Sequence, residues 1–113
     1  SKLLPKFLWR RLPVETTFLV SLPNGNSFKY SAIADDAIAR AIFWCGWDGW
    51  EPETMQVFYK LAQKSKLFLD IGANTGLFTL VTLAANPQAK VMAFEPVPQV
   101  YKRLLSHIEI NGW

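Results

Sequence analysis

The chain has 113 residues, of which 50% are hydrophobic and 19% are charged. This apolar composition excludes an intrinsically disordered chain, and the length predicts at most one domain. The net charge of +3 is too small to indicate a partner nucleic acid, and several basic residues lie near the N-terminus: Lys2, Lys6, Arg10 and Arg11.

The single cysteine, Cys45, excludes an internal disulfide and a cysteine-rich metal site. We interpret it as a core residue and expect a reducing, cytoplasmic location. No apolar run approaches the roughly 18 residues that a membrane span needs. The opening segment "SKLLPKFLWRRLP" is broken by Pro5 and Pro13 and lacks a cleavage site, so we predict no signal peptide. We expect its apolar side chains to pack on the domain or on a partner, with contact to a membrane surface as the alternative.

Residues 1–66 predict a β-hairpin followed by two helices. Asn24 and Gly25 separate the strand-like runs "TTFLVSL" and "SFKYSAI", and this dipeptide tolerates positive φ at both central positions of a hairpin turn. Asp35 or Asp36 can cap the first helix, whose apolar positions are Ile38, Ile42 and Phe43. Pro52 can begin the second, with an apolar stripe of Met55, Phe58, Tyr59 and Ala62.

Residues 67–113 predict an alternation of strands and helices. "LFLDI" and "KVMAFE" are short apolar runs, typical of strands that are buried on both faces. A helix over "LFTLVTLAA" follows the first run, and another helix begins at Pro98 and ends near Asn111 and Gly112. This order predicts a βαβα unit with parallel strands, hence an α/β fold.

The stretch between the first strand and its helix predicts a ligand site. Gly72 and Gly76 can leave room for a ligand beside the backbone, and the amides of a helix start favour electron-rich groups. Asp70, at the strand tip, can accept hydrogen bonds from a ligand or fix the loop. Asn74 tolerates left-handed backbone better than most residues. We call residues 72–76 the glycine loop.

Glu95 ends the second strand and follows the glycines by about 20 residues, where an acidic side chain can bind both hydroxyls of a ribose. Two ligand classes fit, dinucleotides and S-adenosylmethionine. The dinucleotide fingerprint fails, because Asn74 and Leu77 occupy positions that need glycine. A phosphate-binding loop fails too, since no lysine follows the glycines.

These residues resemble the class I S-adenosylmethionine-dependent methyltransferases, and more narrowly the FkbM-type family. "FLDIGANTGLFTL" and "VMAFEPVPQVYKRLLSHIEING" are similar to that family's first motif and its Phe-Glu-Pro motif, and the likeness extends over about residues 46–112. The resemblance implies a partial Rossmann-like fold in which residues 67–113 form the first half of the cofactor-binding domain. It further implies O-methylation of a small-molecule or sugar hydroxyl. The residues that would line the cofactor pocket are Asp70, Gly72, Asn74, Gly76, Glu95, Phe94 and Pro96.

Other candidates have simpler explanations. We interpret Phe94 first as a buried strand residue, Pro96 as shaping the strand exit, and Glu51 as a helix-start residue. The three tryptophans near the glycine bends are interpreted as local packing: Trp44, Trp47 and Trp50. We assign no catalytic base, including the single histidine, His107, and no metal ligand.

The family's sheet usually has seven strands, and two are predicted here. Two parallel strands alone would leave apolar strand and helix faces uncovered. We therefore expect the chain either to be part of a longer protein or to complete its core by self-association. Two alternatives remain open: a nicotinamide-dependent oxidoreductase, and a non-catalytic assembly module of the same fold.

Overall fold

The computed structural model of the protein describes residues 5–113, so Lys2 lies outside the described part. In chain order the elements are α1 (Lys6–Trp9), β1 (Thr17–Ser21), β2 (Ser27–Ser31), α2 (Ala37–Cys45), α3 (Pro52–Ala62), β3 (Leu67–Ile71), α4 (Leu77–Ala85), β4 (Lys90–Phe94) and α5 (Pro98–Ile110). This order confirms the predicted hairpin, the two helices after it and the βαβα unit.

Strands β1 and β2 pair antiparallel, with Thr17 opposite Ser31. In the connecting turn the amide of Gly25 donates to the carbonyl of Leu22 at 3.0 Å, and Gly25 has φ of +86°. Positive φ was expected at Asn24 as well, and that detail is wrong. Pro23 takes the first central position of the turn, so Asn24 falls at the second, where a type I turn needs negative φ.

The starts of α2 and α3 follow the predicted chemistry. Asp36 caps α2, because its Oδ1 accepts a hydrogen bond from the amide of Ala39 at 2.9 Å. Pro52 is the first residue of α3, and that helix buries Met55, Tyr59 and Ala62 while Phe58 is half-buried. Cys45 is exposed, so its interpretation as a core residue is wrong. It is the last residue of α2, where the chain turns away at Gly46.

Helix α1 lies in the described part of the N-terminal segment, residues 5–13, where Trp9 is the one buried side chain. Trp9 is buried, whereas Phe7 is 68% exposed. Leu8 and Leu12 are exposed as well, so among the described residues of this segment the expected packing on the domain is confirmed for Trp9 alone. Within residues 5–113, no helix is both long and apolar enough to cross a bilayer.

Strands β3 and β4 form a parallel pair, with Leu67 opposite Lys90 and Ile71 opposite Phe94. Alternate side chains lie on the face that α4 covers. The other face, which we call the open sheet face, carries apolar residues that are 49–80% exposed: Leu67, Leu69, Ile71, Met92 and Phe94. The two strands were expected to be buried on both faces, and within the described residues this is wrong. The expectation that two parallel strands leave apolar strand surface uncovered is confirmed.

One buried cluster joins the hairpin and the helices. It contains Phe28 and Tyr30 from β2, Met55 from α3, and Leu80 and Val81 from α4. Trp44 of α2 packs against it, as do Trp47 and Trp50 of the α2–α3 connection, which confirms the interpretation of these tryptophans as packing residues. Side chains from both sides of residue 66 thus share this cluster, so the glycine loop is supported by the N-terminal hairpin.

Candidate functional site

The glycine loop is hydrogen-bonded to the end of β4. The amides of Gly72 and Ala73 both donate to the carbonyl of Phe94, each at 2.9 Å. The parallel register brings the carboxyl ends of β3 and β4 to the same edge, because Ile71 lies opposite Phe94. The predicted loop and the predicted acidic residue therefore lie side by side, although about 20 residues separate them in sequence.

Left-handed backbone recurs at alternate residues of the loop. The φ angles are +76° at Gly72, +55° at Asn74 and +96° at Gly76. The expectation that Asn74 takes a position suited to glycine is confirmed. Alternation of this kind turns successive amides toward one side. Here the amides of Gly72 and Ala73 donate to the carbonyl of Phe94, and the amide of Asn74 donates to Glu95.

The two glycines serve different purposes in the described chain. A Cβ atom on Gly72 would meet nothing within 4 Å, so this residue leaves open surface beside the backbone. A Cβ atom on Gly76 would lie 2.5 Å from Cδ1 of Leu104 on α5. The absence of a side chain at Gly76 therefore lets α5 approach α4, and the space there is filled by protein.

Glu95 lies against the glycine loop. Its Oε1 accepts a hydrogen bond from the amide of Asn74 and its Oε2 accepts one from the amide of Val97, both at 2.9 Å. These contacts fix the carboxylate at the strand edge. A carboxylate offers about four acceptor positions, so two remain for other donors.

Asp70 lies beneath the loop, on the covered face of the sheet. Its side chain is buried and its Oδ2 accepts a hydrogen bond from the hydroxyl of Thr79 at 2.6 Å. Burial raises the pKa of Asp70 above its ordinary value, and hydrogen bonds from Thr79 oppose that rise. Asp70 thus anchors the start of α4 below the loop.

The remaining predicted residues lie at the border of this edge. Phe94 is 49% exposed on the open sheet face, so its interpretation as a buried strand residue is wrong. Hydropathy did not show that Phe94 lies on the uncovered face of the sheet. Pro96 is exposed immediately after Glu95. Glu51 is exposed at the start of α3, as its interpretation as a helix-start residue requires.

A cleft of about 480 Å³ reaches the glycine loop at Asn74 and Thr75. Its other walls include Asp36, Trp50 and Arg103. A larger cleft of about 760 Å³ has walls from α1, α2 and residues 48–52, away from the acidic edge. The smaller cleft borders the glycine loop on the side of Thr75, whereas Gly72 and Glu95 lie outside its lining.

Sequence reasoning missed the residues that hold the loop from inside. Thr75 forms hydrogen bonds with Tyr30 of β2 and with His107 of α5. Two local signals pointed to them, a threonine between two left-handed residues and a histidine within an apolar helix stripe. Neither signal identifies its partner, since the partners are 45 and 32 residues away in the chain.

Comparison with solved structures identifies the fold. A S-adenosylmethionine-dependent methyltransferase from Agrobacterium tumefaciens superimposes with a TM-score of 0.52 at 16% identity, over 90% of this chain and 30% of that one. The likeness shows that the chain has the α/β fold of class I S-adenosylmethionine-dependent methyltransferases.

Two curated relatives match shorter stretches. Methyltransferase sdnD of Sordaria araneosa is 46% identical over 43 residues, which are 38% of this chain and 17% of that protein. The AMB antimetabolite synthetase AmbE of Pseudomonas aeruginosa is 45% identical over 40 residues, 35% of this chain and 2% of that protein. This chain therefore spans a small part of each relative. No protein-family model matches the chain, so the narrower FkbM-type resemblance stays a prediction.

Proposed function

We propose that the glycine loop and Glu95 bind S-adenosylmethionine, and that the chain is the cofactor-binding portion of a methyltransferase. The observation that carries the proposal is the contact between the Glu95 carboxylate and the amide of Asn74, at 2.9 Å, beside the open surface of Gly72. Acceptors for a ribose and free backbone surface for the rest of the ligand thus occur together at the carboxyl edge of parallel strands.

The chemistry of the residues fits this ligand. The two unused acceptor positions of Glu95 match the two hydroxyl donors of a ribose. The ligand also carries a sulfonium and an ammonium group, both positive, and the acidic residue Glu95 supplies complementary charge. Asp70 supports the loop from beneath. In this proposal Gly72 and Asn74 shape the pocket wall, while Phe94 and Pro96 flank the adenosine. Gly76 acts indirectly, because it lets Leu104 pack behind the loop.

We further propose that the acceptor is a hydroxyl of a small molecule or sugar, as the FkbM-type resemblance implies. When bound, the cofactor would supply an electrophilic methyl group for the acceptor oxygen, and Glu95 and the glycine loop would hold the cofactor. Much of the rate would come from alignment of the two reactants. We assign orientation of the donor, and no catalytic base, to residues of this chain. A cytoplasmic location agrees with the single cysteine.

Isothermal titration of S-adenosylhomocysteine into Glu95→Gln tests the assignment of the ribose site. The substitution keeps one oxygen acceptor and removes the charge. A hydrogen bond to a charged group contributes about 1.5–3 kcal/mol, so we expect the Kd to rise roughly 10- to 100-fold. Glu109→Gln, an exposed residue on α5, is the matched control and should leave the Kd unchanged.

Titration of NAD in parallel separates the competing functions. Binding of NAD without binding of S-adenosylhomocysteine would favour an oxidoreductase. Binding of neither ligand, together with stable oligomers in light scattering, would favour the non-catalytic module. The open sheet face gives that alternative its physical basis, because exposed apolar surface promotes association.

A further inference from the structure

Thr75 is the inward-facing residue of the glycine loop, and both of its polar groups are held by other elements. Its hydroxyl lies 2.7 Å from the hydroxyl of Tyr30, and its carbonyl lies 2.7 Å from Nδ1 of His107. The exposed fractions are 6% for Thr75, 0% for Tyr30 and 1% for His107. Water is therefore excluded from these contacts, and no solvent molecule replaces a partner that is removed.

The contact with Thr75 fixes the tautomer of His107. A carbonyl can only accept, so Nδ1 carries the proton and Nε2 is left to accept from the amide of Ser31 at 3.1 Å. The Ser31 carbonyl is also near Nε2, but it accepts from Arg103 at 2.6 Å. The neutral imidazole thus connects the glycine loop to strand β2.

Tyr30 continues the connection to α2. Its hydroxyl lies 3.4 Å from Oδ2 of Asp36, which also pairs with Arg103 at 2.8 Å. Thr75 can donate to Tyr30 while Tyr30 donates to this carboxylate, so each hydroxyl proton has an acceptor. We call Tyr30, Asp36, Thr75, Arg103 and His107 the Thr75 network.

The same hairpin also holds the far end of α4, the helix that begins after the loop. Asn24 donates from Nδ2 to the carbonyls of Ala84 and Ala85 at 3.1 and 3.3 Å, and Asn26 donates to Ala84 at 2.9 Å. These bonds satisfy carbonyls at the helix C-terminus that have no partner inside the helix. The hairpin therefore restrains α4 at both ends.

We propose that Tyr30 and His107 are positioning residues for cofactor binding: they fix Thr75, and through it the amide of Asn74 that holds the Glu95 carboxylate. The proposal rests on the proposed function, since it concerns the same loop. Asn74 and Gly76 flank Thr75, so a shift of Thr75 moves the amide that meets Glu95 and the first residue before α4. Neither Tyr30 nor His107 needs to touch the ligand.

The test compares Tyr30→Phe with Tyr59→Phe, which removes a hydroxyl from another buried tyrosine, on α3. Hydrogen exchange by NMR follows the amides of Gly76 and Leu80 without any ligand. We expect about tenfold faster exchange in Tyr30→Phe and unchanged exchange in the control. Titration with S-adenosylhomocysteine should then give a Kd about tenfold higher for Tyr30→Phe alone, at a temperature where circular dichroism shows both variants folded.

Two substitutions at His107 test whether another hydrogen-bond donor restores ligand affinity. The amide of asparagine can donate in place of Nδ1, so His107→Asn should keep most of the affinity that His107→Leu loses. Unchanged exchange in Tyr30→Phe, or faster exchange with unchanged affinity, would overturn the proposal. Absence of ligand binding by the unsubstituted chain would instead refute the proposed function, and the exchange rates would still decide whether Tyr30 holds the loop.

Discussion

The two faces of the β3–β4 sheet differ in what covers them. On one face, α4 packs with Leu80 and Val81 fully buried, and Asp70 finds a hydrogen-bond partner in Thr79. On the open sheet face, Ile71 is 80% exposed and Phe94 is 49% exposed. The comparison teaches that the conformation of the glycine loop does not depend on the open sheet face, because the hydrogen bonds described for the loop come from the covered side, from Phe94 or from Glu95.

Substitution of one leucine on each face of the sheet is expected to give the largest difference in the free energy of unfolding. Leu80→Ala removes a fully buried side chain from α4 and should lower the free energy of unfolding by about 3 kcal/mol. Leu69→Ala, on the open sheet face, removes a side chain that is already 49% exposed and should cost less than about 1 kcal/mol. Urea denaturation measures both, and equal losses would mean that the open face is covered in solution.

Substitution of the two loop glycines by alanine should give an intermediate difference in the free energy of unfolding. Left-handed backbone costs a residue with a side chain about 1–2 kcal/mol, and this cost applies to Gly72→Ala and Gly76→Ala alike. Gly76→Ala adds overlap with Leu104 and should lose about 1 kcal/mol more. The double variant Gly76→Ala with Leu104→Ala removes the overlap. An additive result in the double variant would contradict the packing role of Gly76.

The smallest expected effect is a pH dependence of the free energy of unfolding, which arises from His107 on the covered side. Burial lowers the pKa of His107 below its ordinary 6.5, with Arg103 lowering it further while backbone hydrogen bonds and Asp36 oppose the shift. The unfolded chain therefore binds the proton more readily than the folded chain. Above about pH 6.5 His107 is neutral in both states and does not affect stability. The free energy of unfolding falls as the pH drops from there toward the pKa of His107 in the folded chain.

Urea midpoints between pH 5.5 and 7.5 measure this loss. His107→Asn cannot take up the proton, so the part of the stability loss that the imidazole causes should be absent. The part that the carboxylates cause should remain. An identical pH dependence in both proteins would show that His107 titrates normally in the folded chain.

Local chemistry made most of the elements predictable. Asp36 and Pro52 begin helices, Gly25 forms a turn, and Asn74 has the left-handed backbone that its small polar side chain tolerates. The pairing of the glycine loop with Glu95 was also predictable, because a βαβ unit brings successive strand ends to one edge.

Burial and long-range contacts were less accessible from the sequence. Hydropathy reports that Leu69 and Phe94 suit an apolar environment, but it does not say whether the described chain provides one. The partners of Thr75 come from β2 and α5, and no spacing rule connects them. Tyr30 was apparent only as a strand residue, and His107 only as a polar residue within an apolar stripe.

The hairpin turn carries a chemical vulnerability. Asn24 precedes Gly25, and an asparagine followed by glycine readily loses its amide nitrogen, since the small neighbour lets the backbone attack the side chain. The resulting aspartate would place a carboxylate oxygen where Nδ2 now donates to two helix carbonyls. Slow ageing of a stored sample would thus turn an attraction at the end of α4 into repulsion.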